Sequence, residues 1–274
     1  MRNNPFTNCK PSIKSKQTLS LNDVLRWLHA WIKQFADPFT ILRAFRGLSW
    51  YFADWFRYSR LPCSEIIRLM DTQPQLHDRT ITTQIDPHYF FSLGWAVRRI
   101  QTKFPVMYVD VGSHNLFANL LSASIPVIFL DYRPLQIKLT GLISLRGSIL
   151  ELPFATGAIQ SLSCLHVAEH IGLGRYGDPL DPNGTKKAVK EMERVLAPGG
   201  NLFLAVPVGQ PRLCFNAHRI HGAEMIREIA SCLELVEFSG VHDDGRFVER
   251  VSLNEFKDSS YACGMFWFRK TVSM

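Results

Sequence analysis

The sequence predicts an α/β protein: a doubly wound, mostly parallel sheet with an antiparallel edge strand, preceded by an N-terminal helical extension. Three observations carry this prediction. From about residue 87, short apolar segments alternate with helical patterns, as in parallel sheets covered on both faces. The last two apolar segments, 235–241 and 262–268, have no helix between them and so form an antiparallel pair at one edge. The chain also changes character along its length. Residues 1–60 hold ten Lys/Arg against three Asp/Glu, whereas the rest is balanced at 21 of each.

Taken in order, residues 1–20 are polar and predict a disordered tail with no secretory signal. Residues 21–75 form a basic, aromatic-rich extension. Asp23 is placed to cap a helix whose apolar positions, from Val24 to Phe35, recur at helical spacing; a second helical run covers 39–58. Eleven of the 32 residues from Trp27 to Tyr58 are aromatic. Aromatic rings interleaved with arginine suit either a cap on the main domain or a surface lying on an anionic membrane, with contact through 21–60. No apolar run is long enough to cross a bilayer.

Residues 85–274 form the main domain. Helices are expected over 88–103, 116–124, 183–197 and 223–232, and strands over 106–111, 126–130, 143–147, 161–165, 201–206, 235–241 and 262–268. Pro198-Gly199-Gly200 is the stop signal for the third helix. The six cysteines show no metal-ligand or disulfide spacing, so no metal is expected and a cytoplasmic location is the simplest reading. A neutral main domain argues against nucleic acid as partner.

Ligands of open α/β sheets bind beyond the carboxyl ends of the strands. There the chain offers Asp110, Gly112 and Ser113 after the first strand and Asp131 after the second. The glycine admits close backbone approach, and the acid can accept from both hydroxyls of a ribose. GxGxxG is absent, which disfavours nicotinamide chemistry.

These residues resemble a known family. Asp110-Val111-Gly112-Ser113, Leu130-Asp131, Gly147-Ser148, Leu152-Pro153-Phe154, His166-Val167-Ala168-Glu169-His170 and Arg194-Val195-Leu196-Ala197-Pro198-Gly199-Gly200 look like the ordered motifs of class I S-adenosylmethionine-dependent methyltransferases, which have a Rossmann-like fold. The segment GLGRYGDP, followed by Phe215-Asn216-Ala217-His218-Arg219 and Tyr261-Ala262-Cys263-Gly264, is more closely similar to a small, largely uncharacterised methyltransferase-like family. The resemblance implies S-adenosylmethionine as cofactor, held by Asp110, Gly112, Ser113, Asp131, Tyr132, Ser148, Ile149 and His166. His114 and Leu116 stand where the family usually carries glycine, so either a side chain meets the methionine part of the cofactor or the loop takes another path. Ser148 replaces the usual adenine-contacting acid.

The candidate catalytic residues are His166, His170 and Asp178, with structural support as the other reading of His170 and a turn as that of Asp178. Arg175, Tyr176, Asn216, His218 and Arg219 are the candidate substrate residues; a brace for the chain is the alternative for Arg219. The expected activity is O-methylation of a glycan or other small polar acceptor, in the cytoplasm or at the inner face of a membrane. A non-catalytic binding or scaffold protein of the same fold, or another nucleotide-using sugar-modifying enzyme, are the alternatives. His29, His77, His88 and His242 show no partner pattern.

Overall fold

The computed structural model describes residues 21–32, 37–62, 64, 66–67 and 72–272. The expected tail over 1–20 lies outside the described residues. Contacts divide the chain into two units, 1–84 and 85–274.

In the first unit, α1 (Leu21–Ile32) is already helical at Leu21, so Asp23 lies inside the helix instead of capping it. Its expected extension to Phe35 lies outside the described residues. Helix α2 (Pro38–Tyr58) opens on Asp37, whose side chain accepts from the Phe39 amide at 3.0 Å and the Thr40 hydroxyl at 2.6 Å, with proline in the first turn. The following segment returns along α2: Arg79 pairs with Asp54 at 3.2 Å and lies over the Trp50 ring. Among the described residues, no helix is long and apolar enough to cross a membrane.

The second unit opens with α3 (Pro87–Gln101), capped by Asp86. There follow β1 (Tyr108–Val111), α4 (Asn115–Ser122), β2 (Val127–Asp131), β3 (Leu142–Arg146) and β4 (Ile159–Leu165). Then come α5 (Gly184–Val195), β5 (Leu196–Val208), a hairpin of β6 (Arg212–Cys214) and β7 (His218–Ile220), and α6 (Ala223–Ile229). Strands β8 (Leu233–Val241), β9 (Phe247–Val248) and β10 (Ala262–Lys270) complete the chain.

The eight-stranded sheet has the order β3-β2-β1-β4-β5-β10-β8-β9. Strands β1 to β5 run parallel, and β10 is antiparallel to both β5 and β8. The last two long strands therefore pair as expected, but β10 inserts between β5 and β8 and leaves the two-residue β9 at the edge. Alternation along β5 explains the two-sided core: Leu202, Leu204 and Val206 join Val189 and Met192 of α5, whereas Phe203 and Ala205 join Trp95 of α3 and Phe117 of α4. The helix before Pro198-Gly199-Gly200 ends at Val195, two residues earlier than expected. The proline and glycines instead begin β5, as an irregularity in its pairing with β4 between Ile159 and Ser161.

Strand order reverses between β1 and β4, so the carboxyl ends of β1, β2 and β4 share one mouth.

Candidate functional site

Immediately after β1, Gly112 adopts φ +67°. A Cβ there would lie 3.2 Å from Asp131 Oδ2 and 3.3 Å from Val167 Cγ1, so any side chain would press on the carboxylate and the valine at a backbone conformation that favours glycine. Asp131 ends β2 and accepts from the Arg133 amide through Oδ1 at 2.7 Å. Together they wall a hollow of about 130 Å³ that Tyr132, Ser148 and Ile149 continue on one side. Tyr176, Asp178 and Pro179, from the glycine-rich loop, line the other side. Ser148 Oγ accepts from the Leu150 amide at 3.1 Å, which holds the loop after β3 in a tight turn.

Two expected cofactor contacts are not in the wall. Asp110 is fully buried and accepts from Ser163 Oγ at 2.5 Å and from the Ser113 amide at 3.2 Å. Ser113 is buried too, its Oγ accepting from the Leu165 amide at 3.0 Å. Both shape the turn from behind instead of lining the hollow. His114 and Leu116 also stay out of it. The His114 ring caps α4 by accepting from the Leu116 amide at 3.3 Å, and Leu116 is 57% exposed. Neither side chain lines the hollow.

Burial pushes the Asp110 carboxyl up to about 6, against the opposing pull of Ser113 and Ser163. The folded state thus holds this proton more tightly than the unfolded chain. Its contribution is fully present below about pH 4 and is lost as pH rises through about 6, roughly 3 kcal/mol in all. Asp110→Asn, whose amide can still pair with both serines, is expected to gain stability over the native protein between pH 4 and 7. Urea titrations across that range that run parallel for the two proteins would refute this.

Beside the hollow opens a larger cavity of about 760 Å³, and His166, His170 and Tyr176 line both. His166 leaves β4 at φ +59°, a conformation uncommon outside glycine, which turns its ring into the boundary between the two spaces. The next turn places Glu169 at 2% exposure with Oε1 3.7 Å from both His166 Nδ1 and His170 Nε2. Its Oε2 has no hydrogen-bond partner. Burial pushes the Glu169 carboxyl up, but the two histidines outweigh it and hold it below its ordinary value. His166 Nε2 faces Ser92 Oγ at 3.2 Å and Cys263 Sγ at 3.7 Å.

His166 therefore has partners at both nitrogens. His170 donates through Nδ1 to the Ala217 carbonyl at 2.6 Å, and Arg175 donates to the same oxygen at 3.0 Å. That joins the loop to the β6–β7 hairpin, a bracing geometry for His170. Asp178 spends its two oxygens on amides of its own loop, Gly172 at 2.6 Å and Tyr176 at 3.3 Å, so it clasps the loop instead of presenting a free base. Arg219 donates to the carbonyls of Ile171 and Asp181, at 2.5 and 2.9 Å. It is a brace between these two carbonyls and lines neither space. Asn216 is exposed at the hairpin turn and lines neither space. Tyr176 is held under the Arg133 guanidinium, 4.5 Å from its ring centre, and faces both spaces.

His218 and Arg175 line the large cavity. Burial keeps the His218 imidazole below its ordinary pKa and hence neutral at pH 7, able to accept a proton. The cavity also draws in His88, Tyr89 and Tyr261, none of which was among the candidate site residues. Asp86-Pro87 marks a helix start there, but nothing local shows that the first turn of that helix faces the end of β4.

A family described as a Caenorhabditis protein of unknown function (DUF268) matches residues 154–262. No curated protein matches the sequence. Among solved structures, the YcgJ protein of Bacillus subtilis is similar at 13% identity and TM-score 0.50, covering 67% of this chain and 100% of its own. The N-methyltransferase NodS of Bradyrhizobium japonicum, solved with S-adenosylhomocysteine, is similar at 18% identity and TM-score 0.49, covering 72% of this chain and 91% of its own. The main domain has a Rossmann-like fold, a doubly wound and mostly parallel sheet with antiparallel strands at one side.

Proposed function

We propose that the chain is an S-adenosylmethionine-dependent methyltransferase acting on a hydroxyl of a glycan or other small polar acceptor. The observation that carries this reading is the Gly112–Asp131 cradle, open at His166, His170 and Tyr176 into a second, polar cavity. When bound, S-adenosylmethionine supplies an electrophilic methyl group on a sulfonium. Asp131 would accept from the ribose hydroxyls, Gly112 would let the backbone approach, and Ser148 with Ile149 would border the base. Tyr176 and Pro179 would keep water from the junction. In the larger cavity, neutral His218 would take the proton of the acceptor hydroxyl as its oxygen gains the methyl group.

S-adenosylhomocysteine is expected to raise the melting temperature of the full chain by mass action. Asp131→Ala, which removes charge-assisted hydrogen bonds of about 1.5–3 kcal/mol, should weaken binding by roughly 10- to 100-fold. Calorimetric titration measures both. Identical titrations for the two proteins, or no binding by either, would refute the reading.

The location proposed for this activity is the cytoplasmic face of a membrane. Support comes from the first unit, where Leu25, Phe45, Phe52 and Phe56 are exposed on helices that also carry Arg43, Arg46 and Arg57. The full chain is then expected to float with anionic vesicles and to be released by salt. Equal recovery with purely zwitterionic vesicles, or none with either, would count against it.

A further inference from the structure

We infer that His88, His166 and Cys263 form a binding site for a zinc-class divalent transition metal on the wall of the larger cavity. The inference does not depend on methyl transfer. The three residues come from the first turn of α3, the end of β4 and the start of β10, and one donor atom from each lies within 4.8 Å of the other two. Two imidazole nitrogens and a thiolate are the donor set that borderline metals prefer, and the hard ions do not.

Geometry supports more than proximity. Cys263 Sγ and His166 Nε2 are 3.7 Å apart. Tetrahedral bonds of about 2.3 Å to sulfur and about 2.0 Å to nitrogen separate those atoms by roughly 3.6 Å, so this pair is already at ligating distance. His88, half-buried and stacked on the Tyr261 ring, needs a shift of about an ångström to complete the set, well within side-chain reach.

The supporting groups are also in position. Metal-bound histidines give their second nitrogen to a carboxylate or a carbonyl, which fixes the ring. His166 directs Nδ1 at Glu169. Glu169 is 2% exposed and keeps one oxygen without a partner, a buried negative group that a nearby cation would satisfy. Ser92 Oγ shares His166 Nε2 with Cys263, and it can turn to the Tyr89 carbonyl at 3.5 Å when the nitrogen takes a metal.

His88 and His166 line the cavity whereas Cys263 is buried behind them. A metal held by all three would therefore keep its fourth position on the cavity side, the arrangement of a site that binds water or an exogenous oxygen or sulfur.

The test uses the purified full chain, stripped with a chelator and titrated with cobalt(II), then with zinc(II). One equivalent of cobalt should produce a thiolate-to-metal charge-transfer band in the near ultraviolet together with visible bands of tetrahedral intensity, and zinc should abolish them. Cys263→Ser should lose the charge-transfer band, and His88→Ala should weaken binding at least tenfold, whereas Cys232→Ser should leave both unchanged. His88 is only half-buried, in the first turn of α3, so that variant decides the matter even if Cys263→Ser folds poorly. No thiolate band at one equivalent, or a band indifferent to both Cys263→Ser and His88→Ala, would overturn the site and leave a hydrogen-bonded thiol–imidazole pair.

Discussion

Replacing Glu237 by alanine is expected to cost about 3–5 kcal/mol, the penalty for breaking a buried ion pair from one side. Glu237 lies on β8 at 6% exposure, and its Oε1 accepts from Arg99 at 2.7 Å, from the Trp95 indole at 2.9 Å and from Ser239 Oγ at 2.8 Å. Burial pushes the carboxyl up, but these three donors outweigh it and keep it below its ordinary range. Alanine would strand the indole N–H of a fully buried tryptophan and leave Arg99 to Glu249 alone, at 2.7 Å on a half-exposed carboxylate. Because Trp95 anchors α3 against β5 and β10, the loss falls on the helix that carries Ser92 and His88 toward the candidate site. Glu237→Gln keeps the acceptor for Trp95 and removes the charge, so it should lie between the two. Thermal melts should show a fall of roughly 6–20 °C for alanine. A fall under about 2 °C would mean that the network is ornamental to stability.

That network illustrates what sequence reading misses. Trp95 and Glu237 are 142 positions apart, and neither sits in a motif. The alternation of apolar strands and amphipathic helices was legible because each element carries its own period, and burial on both faces selects Val, Ile, Leu and Phe wherever a central strand runs. Gly112 and Asp131 were legible for a related reason: strand ends at a switch point are set by local chain order, so their meeting needs no knowledge of distant packing. The short hairpin of β6 and β7 was not, since three-residue strands bury too little to impose a pattern. His88, His166 and Cys263 come together only because β10 inserts between β5 and β8, and the absence of an intervening helix specifies an antiparallel pair but not which member lies inside. The same applies to Arg219. An arginine after a strand end looks like an anion ligand in sequence, whereas the carbonyls of Ile171 and Asp181 that it serves are 48 and 38 residues away.

Gly112→Val is expected to abolish S-adenosylhomocysteine binding, by at least about 100-fold, or 2.7 kcal/mol. Two separate causes act there. A β-branched residue at φ +67° is strained by about 1–3 kcal/mol whatever surrounds it. In addition, Cβ would press on Asp131 Oδ2 and on both methyl groups of Val167, at 3.2 to 3.4 Å, with the valine methyls reaching further into the space the ligand needs. Gly157 separates the two causes. It has nearly the same backbone, φ +72°, but the nearest atom to its virtual Cβ is Pro198 Cδ at 4.0 Å, and it does not line the hollow. Gly157→Val should therefore lose a similar amount of stability and bind normally. If both variants melt lower by a comparable margin and Gly112→Val alone fails to bind, occupancy of the hollow is the cause. If Gly112→Val binds as tightly as the native chain, a nucleoside cannot lie against that turn, and the Rossmann-like sheet of this protein would carry its ligand elsewhere or carry none.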